Sequence, residues 1–522
     1  MKKLRKESKS NLYIIILSCI LLISSCTKDY PQINTDKNSI AEIGDANLPF
    51  LFTAALQSVR IADQTAQNLF ADQYAQYIAN NATYFPTDRY FIQMSWAKDN
   101  FTPIYTRVVP QLQTIFENKE SSSAEYALAD IWWVFAFHRV TDYWGPIPYS
   151  QAGISKGTVP YDSQEKIYED FFKRLKTAVE VLKKQTNSKP YGSFDVIYGG
   201  DVNKWIKFAN TLRLRLALRV SKVNPSLAKT EAEAAFASGV FMTSPDDDAL
   251  LEKNLVDFNK ISQMSEWFEF NMSATMESVL KGYNDPRISE YFLPAETSGT
   301  YEGMRNGLSI AQLGLPMNRD VSNSHIGPRW SAPSRGGRSD YFSTPQNVMC
   351  TAEAYFLRAE GALLGWNMGG TAKDLYESGI KNSMAQWGIK DNAAITAYIN
   401  GTTLPIEPKD YLNSPPAAFV PVKFNLSDLN IQKTQVAIQK WLSLFPDGTE
   451  AWADYRRNHS VLPLYPVANS DNIDLTDPKT NWIRRIPFLQ VELETNGAEV
   501  TKAVTLLNGA DKITTPLWWD VH

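Results

Sequence analysis

The chain has 522 residues, 52 of them basic and 56 acidic, for a formal charge of −4. It contains no long Lys/Arg run, so the electrostatic footprint of a nucleic-acid binder is missing. Its three cysteines, Cys19, Cys26 and Cys350, exclude a disulfide-stapled scaffold. Aromatic residues make up 12% of the chain, more than a core of this size obviously needs, which points to rings that face a ligand or a partner.

The chain opens on a basic segment, Lys2, Lys3, Arg5, Lys6 and Lys9, followed by an apolar run over residues 12–23. Roughly a dozen apolar residues are too few to cross a bilayer, where ~20 are needed, and the pattern reads as an export signal. Ser24 and Ser25 place small side chains before Cys26, the shape a lipoprotein peptidase needs for cleavage and thiol acylation. Residues 1–25 are therefore expected to be a signal peptide, Cys26 the lipidated first residue, and 26–46 a flexible tether. Acyl chains contribute about 0.8 kcal/mol per buried methylene, and stable anchoring takes more than one, which a diacylglyceryl cysteine supplies. A plain secretory signal with a chance cysteine is the alternative, and either one takes the protein out of the cytoplasm.

Beyond the tether the apolar spacing is mostly helical. It predicts helices over 48–79, 96–118, 123–139, 164–185, 202–222, 346–365, 371–387, 427–445 and 449–458. Trp205, Phe208, Leu212 and Leu216 follow one helical face, and Gly199-Gly200-Asp201 supplies a turn and an N-cap before it. Asp246-Asp247-Asp248 reads as a solvated charge run, with oxygen ligands for calcium as the alternative. Residues 285–344 are punctuated by Pro and Gly and read as long ordered loops of the kind kept for function. Cys350 reads as a small buried apolar group. The fold expected is mainly α, an irregular helical-hairpin scaffold of tetratricopeptide type with long ordered loops, forming one domain over 47–522. No clean period near 34 residues is present.

Several segments together resemble one family. They are Thr141-Asp142-Tyr143-Trp144-Gly145-Pro146-Ile147-Pro148-Tyr149, Tyr161-Asp162-Ser163-Gln164-Glu165-Lys166-Ile167-Tyr168, Tyr198-Gly199-Gly200-Asp201 running into Trp205 and Asn210, and Leu212-Arg213-Leu214-Arg215-Leu216-Ala217. Further on come Asp285-Pro286-Arg287, Glu353-Ala354-Tyr355 with Arg358-Ala359-Glu360, and Glu450-Ala451-Trp452-Ala453-Asp454-Tyr455-Arg456-Arg457. The chain ends with Arg485-Ile486-Pro487, Glu492, Asn496 and Trp518-Trp519-Asp520. In this order the chain resembles the SusD/RagB nutrient-binding outer-membrane lipoproteins of Bacteroidetes, in their SusD-like subgroup. Gly145-Pro146 stands where that family more often has Gly-Asp.

The resemblance implies a lipid-anchored, surface-exposed lid on a SusC-like TonB-dependent transporter, taking up oligosaccharide or peptide without chemistry. Glycan and peptide stay open at this point. Exposed loop aromatics would stack on sugar faces while amides and Arg satisfy hydroxyls. The candidates are Tyr84 and Phe85 with Asn81 in the 80–90 connection, Trp267, and Tyr301 and Trp330 with Arg305 and Asn306 in the long loop region. Trp132, Trp133, Trp205 and Trp452 read as core, Tyr143 and Trp144 as pinned against the body, and Arg456 and Arg457 as ion-pairing partners of Asp454 and Glu450. There is no HExxH, CxxC or GK[ST] loop, so no metal or other cofactor is expected. The competing class is a lipid-anchored glycan hydrolase with a helical toroid fold, which needs two facing carboxylates. Glu353 and Glu360, two helical turns apart, are the pair to inspect.

Overall fold

The computed structural model describes residues 44–155, 157–239, 241–475 and 477–521. Cys26 and its tether lie outside them. The chain divides after Leu48, and the fold is that of the unit Pro49–His522. Helices of ten or more residues are α1 (Leu48–Ser58), α2 (Val109–Asn118), α3 (Ala124–Trp144), α4 (Gln164–Leu182), α5 (Val202–Arg219), α6 (Pro225–Ala237), α7 (Thr351–Leu363), α8 (Ala372–Gln386), α9 (Leu429–Leu444) and α10 (Gly448–Arg457). Four short antiparallel pairs join β1 (Ile78–Asn80) with β5 (Phe270–Met272), β2 (Ile147–Pro148) with β3 (Tyr161–Asp162), β4 (Ala249–Leu251) with β8 (Gln346–Met349), and β6 (Phe292–Leu293) with β7 (His325–Ile326). The fold is mainly helical, as the periodicity predicts.

Sequence neighbours pack as hairpins: α3 on α4, α5 on α6, α7 on α8, with α5 also against α4 and α7. Helix α3 starts where the Ser123 hydroxyl accepts from Tyr126 N and stops at Gly145, whose φ of +85° suits glycine. Nearly all its side chains are buried, the polar Asp130, His138, Arg139 and Asp142 among them, so this helix is covered on every side. Helix α4 instead buries one stripe, Ile167, Phe171, Leu175, Ala178 and Leu182, at i+3 and i+4 spacing. The turn before α5 winds round Asp195, which accepts from the backbone N–H groups of Ile197, Tyr198 and Gly200. Asp201 then caps the helix, as expected.

Three expectations change. The pattern over 48–79 is not one helix: α1 ends at Ser58, Ala62 takes a φ of +58°, and a π-helix follows at Gln64–Asp72. The Ala-rich α6 was not predicted: its buried stripe is Ala228, Ala232 and Ala235, side chains too small to stand out as an apolar face. Residues 285–344 are ordered loops, as the Pro and Gly pattern predicts. They fold back on themselves through β6, β7 and a chain of single turns, and the close approaches admit only glycine: a Cβ on Gly337 would lie 1.7 Å from the Ser331 carbonyl oxygen, and one on Gly327 2.1 Å from that of Glu290. The Asp246–Asp248 run is likewise built into the structure. Asp247 accepts from Thr243 N and Lys207 Nζ, and Asp248 from Thr351 N at 2.7 Å.

Candidate functional site

Pairing of β1 with β5 brings together two segments that are almost 190 residues apart in sequence. The ladder sets Asn80 opposite Phe270 and continues one step, Asn81 N donating to Glu269 O at 3.2 Å. The 80–90 connection therefore leaves one strand where Trp267-Phe268-Glu269 enters the other. Tyr84 and Trp267 thus belong to one surface, with Tyr84 65%, Trp267 43% and Phe268 36% exposed. Single exposed rings are ordinary, whereas these three lie on two adjoining segments.

Beneath the rings lies a polar floor. The Tyr84 hydroxyl donates to Glu269 Oε1 at 2.5 Å, and Gln64 Nε2 to Glu269 Oε2 at 2.8 Å. The hydrogen bond to that carboxylate, with burial second, pushes the Tyr84 phenol up to about 12, so it stays a donor at neutral pH. Asn81 Nδ2 donates to Asn271 Oδ1 at 2.6 Å, and Asn271 Nδ2 is held by Asp320. Asn80 Nδ2 ties the Ala82 and Phe85 carbonyls. Phe85 is half-buried, its ring 4.7 Å from that of Tyr84 and 5.6 Å from that of Trp96, edge to face. The loop is therefore fixed before any ligand arrives, which lowers the ordering cost of binding.

The remaining candidates are placed elsewhere. Trp330 is only 2% exposed, packed edge-on against Trp387 and Phe445, because the glycine-permitted folding of 285–344 turns it inward. The expected exposed ring is a core ring. Arg305 is buried, donating to the Ser414 hydroxyl and the Pro466 carbonyl above the Tyr465 ring. Asn306 is buried too, donating to Asp88, Ile78 O and Gln73 O. Both spend their donors on the scaffold. Tyr301 is half-buried, its carbonyl accepting from Lys281 Nζ, and no contact among the described residues joins it to Tyr84 or Trp267.

Sequence reasoning missed Phe268, Glu269, Gln64 and Asn271. One signal was available: in Trp267-Phe268-Glu269-Phe270 a single carboxylate interrupts three aromatics, which a buried strand does not tolerate unless that residue faces out or is satisfied.

Glu353 and Glu360 do not face each other as an acid and a nucleophile. Arg215 holds Glu353 through two hydrogen bonds of 2.6 Å, while Lys440 and Arg457 hold Glu360. Arg457 also reaches Asp454. Arg456 makes no such pair: it lies 3.6 Å over the Trp452 ring and donates to the Asp142 and Arg484 carbonyls. Trp132, Trp133, Trp205 and Trp452 are core, and Tyr143 and Trp144 are pinned as expected. Two recesses lie away from the aromatic surface, one of about 370 Å³ beside Tyr105 and Glu492, the other of about 220 Å³ beside Lys222 and Lys433. Among the described residues no helix is long and apolar enough to cross a membrane.

The SusD-like family model, described as Susd and RagB outer membrane lipoprotein, matches residues 34–520. The structure is similar to that of a chitin-binding SusD homolog from Flavobacterium johnsoniae, with a TM-score of 0.82 and 35% identity over 91% of this chain and 99% of the other. A SusD homolog from Bacteroides vulgatus matches with TM-score 0.78 and 32% identity over 88% and 92% of the two chains. A SusD-like protein from Bacteroides thetaiotaomicron gives 0.79 and 28% over 91% and 99%. A search of curated protein sequences finds no match.

Proposed function

The chain belongs to the SusD-like family of Susd and RagB outer membrane lipoproteins, and from that premise we propose that it captures oligosaccharide on the Tyr84–Trp267 surface and delivers it, unhydrolysed, to a SusC-like TonB-dependent transporter. The observation that carries the reading is the pair of exposed rings on adjoining segments over a floor of carboxylate and amides. Flat rings cover the apolar C–H faces of a sugar, and the floor supplies acceptors and donors for its hydroxyls. A chitin-binding relative of the same fold supports a glycan over a peptide.

Titration with an N-acetylglucosamine hexasaccharide tests the site. Tyr84→Ala and Trp267→Ala should each weaken binding by at least about 1 kcal/mol, and the titrated sugar should be recovered intact. Stability should move by only about 0.5 kcal/mol, since neither ring is core. Wild-type affinity in both variants places the site elsewhere.

In this reading the Cys26 lipid and the tether hold the protein at the outer membrane and raise its effective concentration at the barrel. Closure over a ligand is then a population shift, favoured only if ligand touches both partners. Protein extracted in mild detergent should co-purify with a SusC-like barrel, and Cys26→Ala should leave the detergent phase. A variant that partitions and has the same mature mass as wild type rules out the anchor; a barrel that always elutes separately rules out the stable lid.

A further inference from the structure

We propose that Glu269 makes this surface prefer oligosaccharides bearing protonated amino groups over acetylated and acidic ones, an inference that rests on the Tyr84–Trp267 reading of the site. Glu269 is half-buried on the Trp267 segment and is hydrogen-bonded to Tyr84 on the other. Each of its oxygens accepts one neutral hydrogen bond, from Tyr84 and from Gln64. A carboxylate has about four acceptor positions, so acceptor capacity is left on both. Among the described residues no Lys, Arg or His pairs with it, although most carboxylates around it have a cation.

The surrounding charge reinforces the effect. Arg335 is the cation nearest the rings, 3.6 Å over Phe268, but it faces two carboxylates, Glu296 at 3.3 Å and Asp320 at 3.4 Å. Arg60, on the Gln64 side, likewise lies between Asp63 at 3.5 Å and Asp99 at 3.8 Å. Neither guanidinium has charge to spare for Glu269 or for an acidic sugar. A ligand ammonium would give Glu269 its charge-assisted partner, and a uronate would meet like charge.

The bland account is that Glu269 is only an acceptor that positions Tyr84 and Gln64. A glutamine carbonyl would serve that purpose nearly as well, so Glu269→Gln separates the two roles. The whole mature protein is titrated with hexasaccharides of glucosamine, N-acetylglucosamine and galacturonate, at low and high salt, at a pH where the amines are protonated and carboxylates ionised. Wild type should bind the glucosamine hexamer about three- to tenfold tighter than the acetylated one at low salt, with the galacturonate weakest, and salt should shrink the spread. In Glu269→Gln the ratio of amine to acetylated affinity should fall to about one and its salt dependence vanish.

Equal binding of the amine and acetylated hexamers by wild type overturns the inference and leaves the glycan site standing. A preference that persists in Glu269→Gln also overturns it, since the discriminating charge is then elsewhere. Failure of wild type to bind any of the three overturns both this inference and the proposed function.

Discussion

Trp205→Ala should cost about 3–5 kcal/mol of folding free energy, the sum of lost burial and the cavity left behind. The indole is fully buried where α1, α3 and α5 meet, with Phe52, Trp132, Tyr198 and Phe208 around it at centroid distances between 5.4 and 6.5 Å. The four rings left around the gap are themselves buried in the packing and cannot fill it without shifting. A second term adds to the first. Trp205 Nε1 donates to Asp195 Oδ2 at 2.6 Å, and burial pushes that carboxyl up while the indole bond opposes the rise. Alanine removes a donor from the one residue that organises the Tyr198-Gly199-Gly200-Asp201 turn. The measurement is the urea midpoint at unchanged m-value. A loss under about 1 kcal/mol means that neighbouring rings refill the site and that the cavity argument fails.

That contrast between Trp205 and Tyr84 shows what a sequence of this kind makes legible. The helices α3, α4, α5, α7, α8, α9 and α10 could be read because each repeats an apolar stripe or a cap, and stripes follow from local geometry. The exposed end of the β1/β5 ladder could not be read, since it depends on pairing residue 80 with residue 270 and three-residue strands carry too little alternation to announce themselves. Tyr84 and Trp267 were found by type, as aromatics in polar company. Their adjacency was not. Trp330, Arg305 and Asn306 show the opposite error: Pro and Gly marked ordered loops correctly, but their side chains were read as exposed, whereas here glycine serves close backbone approach, which draws side chains inward.

The family motifs and the exposed aromatic surface are also different places. Several of the family segments meet in buried polar contacts. Asp142 accepts from the Tyr168 hydroxyl at 2.6 Å and Trp519 Nε1 at 2.9 Å, Arg456 donates to the Asp142 carbonyl, and Arg485 donates to that of Trp144. Tyr84, Trp267 and Glu269 lie in none of those segments. Those motifs therefore describe how helices are locked together, while the exposed rings and Glu269 sit on connections outside them.

The lock itself gives the second large effect. Arg215 on α5 holds Glu353 on α7 through two bonds of 2.6 Å and lies 3.7 Å from Glu450 on α10, which Arg219 binds at 2.5 Å. His138 on α3 is within 4.0 Å of Glu450, but burial, with Arg215 next, drives its imidazole well below the ordinary range, so it stays neutral and cannot replace a guanidinium. Arg215→Met should therefore cost about 3–5 kcal/mol, because it strands Glu353 as an unpaired charge in the interior. Glu353→Gln alone should cost less, since Arg215 retains Glu450. The double variant Arg215→Met/Glu353→Gln should recover part of the loss, with a coupling energy of about 0.5–3 kcal/mol, as replacing a whole buried pair is far cheaper than breaking it. The readout is the double-mutant cycle on urea unfolding. Strictly additive single-variant losses would mean that Arg215 acts through packing alone, and that α5, α7 and α10 are held together without their charges.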